Sequence, residues 1–298
     1  MKNILRNRLL TLLLLGVTLI VFIAACDNPT ASDSAGGSSG GGDNGAGGNI
    51  SENIGALVEV PAGSFQRDED EQNISVITRP FRMSEHQITQ AQFEAIMGVN
   101  PSQYTSGEDA PNRPVERVSW YGAIAFANKL SLAEGLTEVY SIAGVDFATL
   151  DYSEIPTSSN DDWDAVTVDW EADGYRLPTE MEWMWAAMGA DQDAQSGAME
   201  DGVNRNGYSK PFAGSDGSNS SSDYAWSGTS VSIPRPVGTK QANELGLYDM
   251  SGNVWEWTWD WFSGGALSPE LFDCRNSRGL PWRRYGHMAC RERWQHML

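Results

Sequence analysis

Apolar residues recur at helical spacing in three stretches, and each stretch carries its own start and stop signals. Thr89 stands three residues before Gln92, a pairing that satisfies free amides at a helix start, and Phe93, Ile96 and Met97 then share one face before Gly98. Ser119 opens a longer helix with Ala123, Phe126, Ala127 and Leu130 at core spacing and Gly135 beyond its end. Thr179 and Glu182 repeat the capping pattern after Pro178, ahead of Trp183, Ala186, Ala187 and a stop at Gly189. A different period appears near the other end. Trp255, Trp257, Trp259 and Trp261 alternate with Val254, Glu256, Thr258 and Asp260, so as a strand the four indoles share one face. Elsewhere the pattern predicts short strands between long loops, notably residues 190–222, and loops of that length are usually functional or held by ions. The pattern predicts about three helices among short strands and long loops.

The segment before the tryptophans carries the candidate chemistry. Asp249 and Glu256 offer two carboxylates, and a curled loop adds the carbonyls of Gly252 and Val254, an all-oxygen set suited to a hard cation such as Ca2+. Spacing alone favours a turn at residues 251–253 leading into a core strand, with the acids solvated.

The chain has 298 residues and a formal charge of −20. That charge argues against nucleic-acid binding and against docking on an anionic membrane surface. Lys2, Arg6 and Arg8 precede an apolar run from Leu9 to Ala25, the layout of a secretory signal peptide, and the run approaches spanning length. Ile23-Ala-Ala-Cys26 resembles a bacterial lipobox, and the polar stretch that follows favours a lipidated Cys26 over a plain transmembrane anchor. Lipid tails on Cys26 would hold the protein to a membrane of the bacterial cell envelope, with its domain outside the cytoplasm. Residues 27–50 hold almost nothing but Gly, Ser, Asn, Asp and Ala and cannot bury enough apolar surface to order themselves. The expected organisation is a leader over 1–25, a flexible linker over 26–52, a folded domain over 53–282 and a divergent tail over 283–298.

Gly246-Leu-Tyr-Asp-Met-Ser-Gly-Asn-Val-Trp-Glu-Trp257 resembles the signature of the formylglycine-generating enzyme (sulfatase-modifying factor) family. Further pieces stand in that family's order: Val60-Pro-Ala-Gly-Ser-Phe65, Ile88-Thr-Gln-Ala-Gln-Phe93, Arg113-Pro-Val-Glu-Arg-Val-Ser-Trp120, Tyr175-Arg-Leu-Pro-Thr-Glu-Met-Glu-Trp183, Tyr224-Ala-Trp226 and Pro236-Val-Gly238. The resemblance spans roughly residues 57 to 282. It implies an α+β fold, loop-rich, with short strands and about three helices, related to C-type lectins and often stabilised by calcium, with one structural Ca2+ at Asp249, Gly252, Val254 and Glu256. It also places Trp255 where the family has an active-site tryptophan, although core packing explains that residue equally well; Trp255 is the candidate ligand face. The family's second calcium pattern is not matched in residues 204–235.

The implied activity, oxidation of a substrate cysteine to an aldehyde with copper and oxygen, rests on two cysteines five positions apart after an Arg-Gly-Gly-Ser-Trp motif. Paired thiolates suit a soft Cu(I) ion. Here the motif reads Arg278-Gly-Leu-Pro-Trp282, Cys274 precedes it and Cys290 follows. Two cysteines so arranged fit a structural disulfide or two unrelated thiols better than a copper pair, so no catalytic residue is assigned. His86, His287 and His296 are the only histidines, which leaves no histidine-rich iron site. Glu180 and Glu182 belong to a helix start. The tail gathers Arg275, Arg278, Arg283, Arg284, Arg291 and Arg293 against Glu292 and lacks the family's closing Gly-Phe-Arg-type strand, the marks of a frameshifted or truncated gene end. The sequence thus points to a non-catalytic module binding a protein or small ligand in the envelope. The alternative is an atypical formylglycine-generating oxidase or related protein-modifying oxidoreductase using Cys274 or Cys290, and copper enters only on that alternative.

Overall fold

The structure, a computed structural model, describes residues 24–26, 50–227 and 233–260. Most of the leader and linker, Trp261, Cys274, Cys290 and the arginine-rich tail lie outside the described residues. The strands run β1 (Ala24–Cys26), β2 (Ile50–Ser51), β3 (Gly55–Val60), β4 (Gly63–Gln66), β5 (Ile74–Ile77) and β6 (Phe81–Ser84). Helices α1 (Gln90–Met97) and α2 (Trp120–Ala133) follow, then β7 (Tyr140–Ser141), the single-turn α3 (Asp161–Asp164), β8 (Thr167–Val168) and β9 (Tyr175–Arg176). The described chain continues through α4 (Glu180–Ala187), β10 (Met199–Glu200), β11 (Val203–Asn204) and the single-turn α5 (Ser221–Tyr224). Three helices of eight or more residues among short strands make this the α+β fold expected.

One sheet has the order β2-β3-β6-β1-β9, a second β10-β11-β4-β5, and β7 pairs with β8. Ile50 and Ser51 pair with Ala56 and Gly55, inside the stretch that composition assigns to the linker. The three helix caps are those read from the pattern. Thr89 with Gln92 and Thr179 with Glu182 close reciprocal capping boxes, and the Ser119 hydroxyl accepts from the Gly122 amide. The α2 residues Ala123, Phe126, Ala127 and Leu130 are fully buried and organise one core cluster. Helix α4 is buried on all sides from Met181 to Ala187, with Met181, Met184 and Trp185 packed against Val60, Phe65, Phe81 and Met83 in a second cluster. The Trp185 indole donates to the Pro61 carbonyl at 2.7 Å and stacks on Phe65.

The tryptophan run departs from expectation. Residues 251–260 form no regular strand. Trp257 is buried and Trp255 and Trp259 pack partly against the α2 cluster, yet Val254, Glu256 and Thr258 are buried too. Both sides of the run face protein, so a one-sided ladder has no solvent side to define it. Long-range bonds hold the segment instead: the Trp257 indole donates to the Val118 carbonyl at 3.0 Å, the Trp120 indole to the Thr258 carbonyl at 3.1 Å, and the Trp259 amide to the Pro178 carbonyl at 2.9 Å.

The 190–222 region is fixed by a fully buried ammonium. Lys210 Nζ lies 3.0 Å from Asp193 Oδ1 and 2.8 Å from the Met188 carbonyl, and it pairs with Glu244. A buried cation needs opposite charge and acceptors around it, and these three elements supply both.

Candidate functional site

The site is a turn that needs unusual backbone. Asp249, Gly252 and Asn253 have φ of 55°, 88° and 59°, residue types that tolerate the left-handed region better than most. Gly252 is obligatory for a second reason: a Cβ there would sit 2.3 Å from the Trp226 carbonyl oxygen. Trp226 and Gly252 form an isolated parallel bridge, and the Asn253 amide donates to the Trp226 carbonyl at 2.9 Å. The Asn253 side chain clamps the Arg235 backbone from both sides, accepting from its amide at 2.9 Å and donating to its carbonyl at 3.0 Å.

This curl turns two of the predicted oxygens, the Glu256 carboxylate and the Gly252 carbonyl, toward the Gln87 amide, together with the backbone carbonyl of Asp249 and not its carboxylate. Gln87 Nε2 lies 2.6 Å from Glu256 Oε1, 3.4 Å from the Asp249 carbonyl and 3.5 Å from the Gly252 carbonyl. The other Glu256 oxygen accepts from the Trp183 indole. Asp249 Oδ2 accepts from the Gly238 amide at 2.8 Å, whereas Asp249 Oδ1 and Gln87 Oε1 are buried without a hydrogen-bond partner. Burial pushes the Asp249 carboxyl up to about 6, against the Gly238 bond and the pull of His86. The fourth predicted residue, Val254, puts its side chain into the core. The acids are not solvated: Asp249 is 2% and Glu256 7% exposed. Sequence reading missed Gln87, which stands just before the α1 cap and far from the loop in sequence; nothing local marks it.

Around the loop lies an aromatic surround. Trp259 stacks on Tyr140 and contacts Trp120 and Trp170, with the Arg176 guanidinium 5.2 Å from the Trp170 ring centre. Trp226 carries two cations, Lys240 Nζ at 4.0 Å and Arg235 at 5.6 Å from its ring centre. Trp255 is half-buried and packs against the α2 core cluster. Among the described residues no group of three or more His, Cys, Asp or Glu could hold a metal ion. Among the described residues no helix is long and apolar enough to cross a membrane.

The fold and the 246–257 loop define a class, and the chain belongs to it: residues 46–293 match the sulfatase-modifying factor enzyme 1-like domain. The match runs beyond residue 282 into the arginine-rich tail. Among individual proteins, the chain is 36% identical over 237 residues to the chaperone protein LppX of Paenibacillus barcinonensis, covering 76% of this chain and 78% of that one. It is 40% identical over 93 residues to the formylglycine-generating enzyme of Mycobacterium tuberculosis, which covers 28% of this chain and 27% of the enzyme. Of solved structures, Treponema denticola variable protein 1 superposes with a TM-score of 0.59 and 35% identity, over 70% of this chain and 73% of that chain. CarF superposes with a TM-score of 0.51 and 27% identity, over 70% and 81% respectively.

Proposed function

We propose that this protein is a lipid-anchored envelope module that binds a polypeptide or small ligand through the face around Trp255, without the family's copper chemistry. The observation that carries the reading is the cysteine arrangement. Cys274 and Cys290 flank Arg278-Gly-Leu-Pro-Trp282 sixteen positions apart, and Pro281 has no hydroxyl. The extended likeness to a protein named as a chaperone supports a binding role, and the lipobox-like Ile23-Ala-Ala-Cys26 supports the anchor.

A structural Ca2+ belongs to the same proposal. The oxygen-only donor set and the partnerless, buried Asp249 Oδ1 fit a hard cation held by Asp249, Gly252, Val254 and Glu256. Gln87 adds its own oxygen if its amide turns over, since Oε1 has no partner as placed. The ion would supply positive charge to two buried carboxylates and pin the loop that presents Trp255.

A photo-crosslinking amino acid in place of Trp255 tests the binding face in intact envelopes. It should yield discrete adducts that the same group at the exposed strand residue Val76 does not. Identical adduct patterns at the two positions would contradict a ligand face at Trp255.

A further inference from the structure

Strand β1 occupies an unexpected place. It lies inside the five-stranded sheet, antiparallel to β6 on one side and to β9 on the other. Ala24, Ala25 and Cys26 stand opposite Met83, Arg82 and Phe81, while Ala24 and Ala25 also stand opposite Arg176 and Tyr175. These residues are also the lipobox-like junction, where cleavage before Cys26 would remove Ala24 and Ala25 and draw Cys26 to the membrane. Both cannot hold at once in one molecule.

Without β1, strands β6 and β9 stand two strand spacings apart, roughly 9 to 10 Å, too far to bond each other. Their facing amides and carbonyls would lose partners between Phe81, Met83, Tyr175 and Arg176, all of them buried. Open strand edges of this kind pair with other chains.

We propose that the gap between β6 and β9 is a strand-acceptor site. In the processed protein it takes a short extended segment of a partner polypeptide, antiparallel to both neighbours. The inference rests on the lipid-processing part of the proposed function. Two-sided pairing distinguishes the seat from a simple sheet edge, because an incoming strand gains main-chain bonds on both flanks. Its walls are bulky, Phe81 and Met83 on β6 and Tyr175 on β9, and the present occupant is Ala-Ala-Cys. The fitting segment therefore carries small side chains at its centre, and the residue in the Ala25 position pairs with Arg82 and Tyr175 together.

The test compares full-length chain with chain beginning at residue 26, both carrying Cys26→Ser so that neither is lipidated. The probe is a fluorescent peptide of residues 21–28 with the same substitution, followed by polarisation. The shorter chain should bind it saturably and the full-length chain at least about tenfold more weakly, because its seat is filled. N-methylation of the peptide at Ala25 removes a main-chain donor and should weaken binding by a similar factor. If the shorter chain folds only when the peptide is present, the proposal is equally supported. A shorter chain that melts cooperatively yet binds no peptide, one that stays unfolded with peptide, or indifference to N-methylation would overturn it. The mass of the native protein's amino-terminal fragment reports lipidation separately, so failure of the processing reading is distinguishable from failure of the acceptor site.

Discussion

Gln87 donates to Glu256 at 2.6 Å and joins the entry to α1 to a loop most of the domain away in sequence. Through the same nitrogen it reaches the backbone carbonyls of Asp249 and Gly252, so one amide ties the 249–256 loop to the start of α1. A ligand that binds only the folded state stabilises it by mass action, about 2.7 kcal/mol at a hundredfold excess over Kd. Calcium chelation should therefore lower Tm by several degrees, since about 1 kcal/mol moves a domain of this size by about 2–4 °C. Glu256→Ala should abolish that chelator sensitivity. An Asp249→Ala, Glu256→Ala double variant that melts like wild type, with and without chelator, would refute the site.

Gly252→Ala should destabilise the domain without touching a carboxylate. The new Cβ meets the Trp226 carbonyl at 2.3 Å in a backbone region where L-residues are strained. Strain of this kind costs about 1–3 kcal/mol, to which the collision adds. Urea unfolding should show a lower midpoint at unchanged slope. An unchanged midpoint would mean the bridge between Trp226 and Gly252 does not hold the loop.

Arg176 and Glu182 form a buried bidentate pair, with both guanidinium-to-carboxylate contacts at 2.7 Å. Burial alone would raise the Glu182 pKa, but the Arg176 charge and the bonds from Arg176 and Thr179 outweigh it and hold the carboxyl below its usual range. A depressed folded-state pKa gives stability that is present above the unfolded value and lost as pH falls through the folded one. The wild type should thus lose this contribution only in acid, below about pH 4.5. Arg176→Met leaves a buried, unpaired carboxylate and should cost about 3–5 kcal/mol near neutral pH, with stability recovering as pH falls and Glu182 protonates. A variant whose stability declines in acid just as wild type does would contradict the pairing.

The helix caps were legible because each is closed within four residues: Thr89 needs only Gln92, and Thr179 only Glu182. The site loop was legible as a motif, and its left-handed backbone at Asp249, Gly252 and Asn253 falls on residue types that favour that region. The tryptophan run was misread as a strand because period two describes direction and not environment. Its geometry is set by the Val118 and Pro178 carbonyls, far away in sequence. Lys210 and Gln87 left no trace for the same reason. A lone lysine in a polar loop looks solvated until Asp193 and Glu244 close on it.

Cys26→Ser should abolish palmitate labelling and shift the protein from the membrane to the soluble fraction. The leader's basic flank, apolar run and Ile23-Ala-Ala-Cys26 junction lead to that outcome. A variant that still labels with palmitate and still partitions into detergent would rule out lipidation at Cys26.

The proposed function is binding without oxidation of cysteine. Purified protein loaded with Cu(I) and supplied with oxygen and a Cys-x-Pro-x-Arg peptide measures it directly, with hydrazide capture reporting aldehyde. Two thiolates must converge on one Cu(I) for that chemistry, and Cys274 and Cys290 lie on opposite sides of Arg278-Gly-Leu-Pro-Trp282. No aldehyde should appear above the copper-only control. Aldehyde that accumulates over many turnovers and disappears with Cys274→Ser or Cys290→Ser would contradict it.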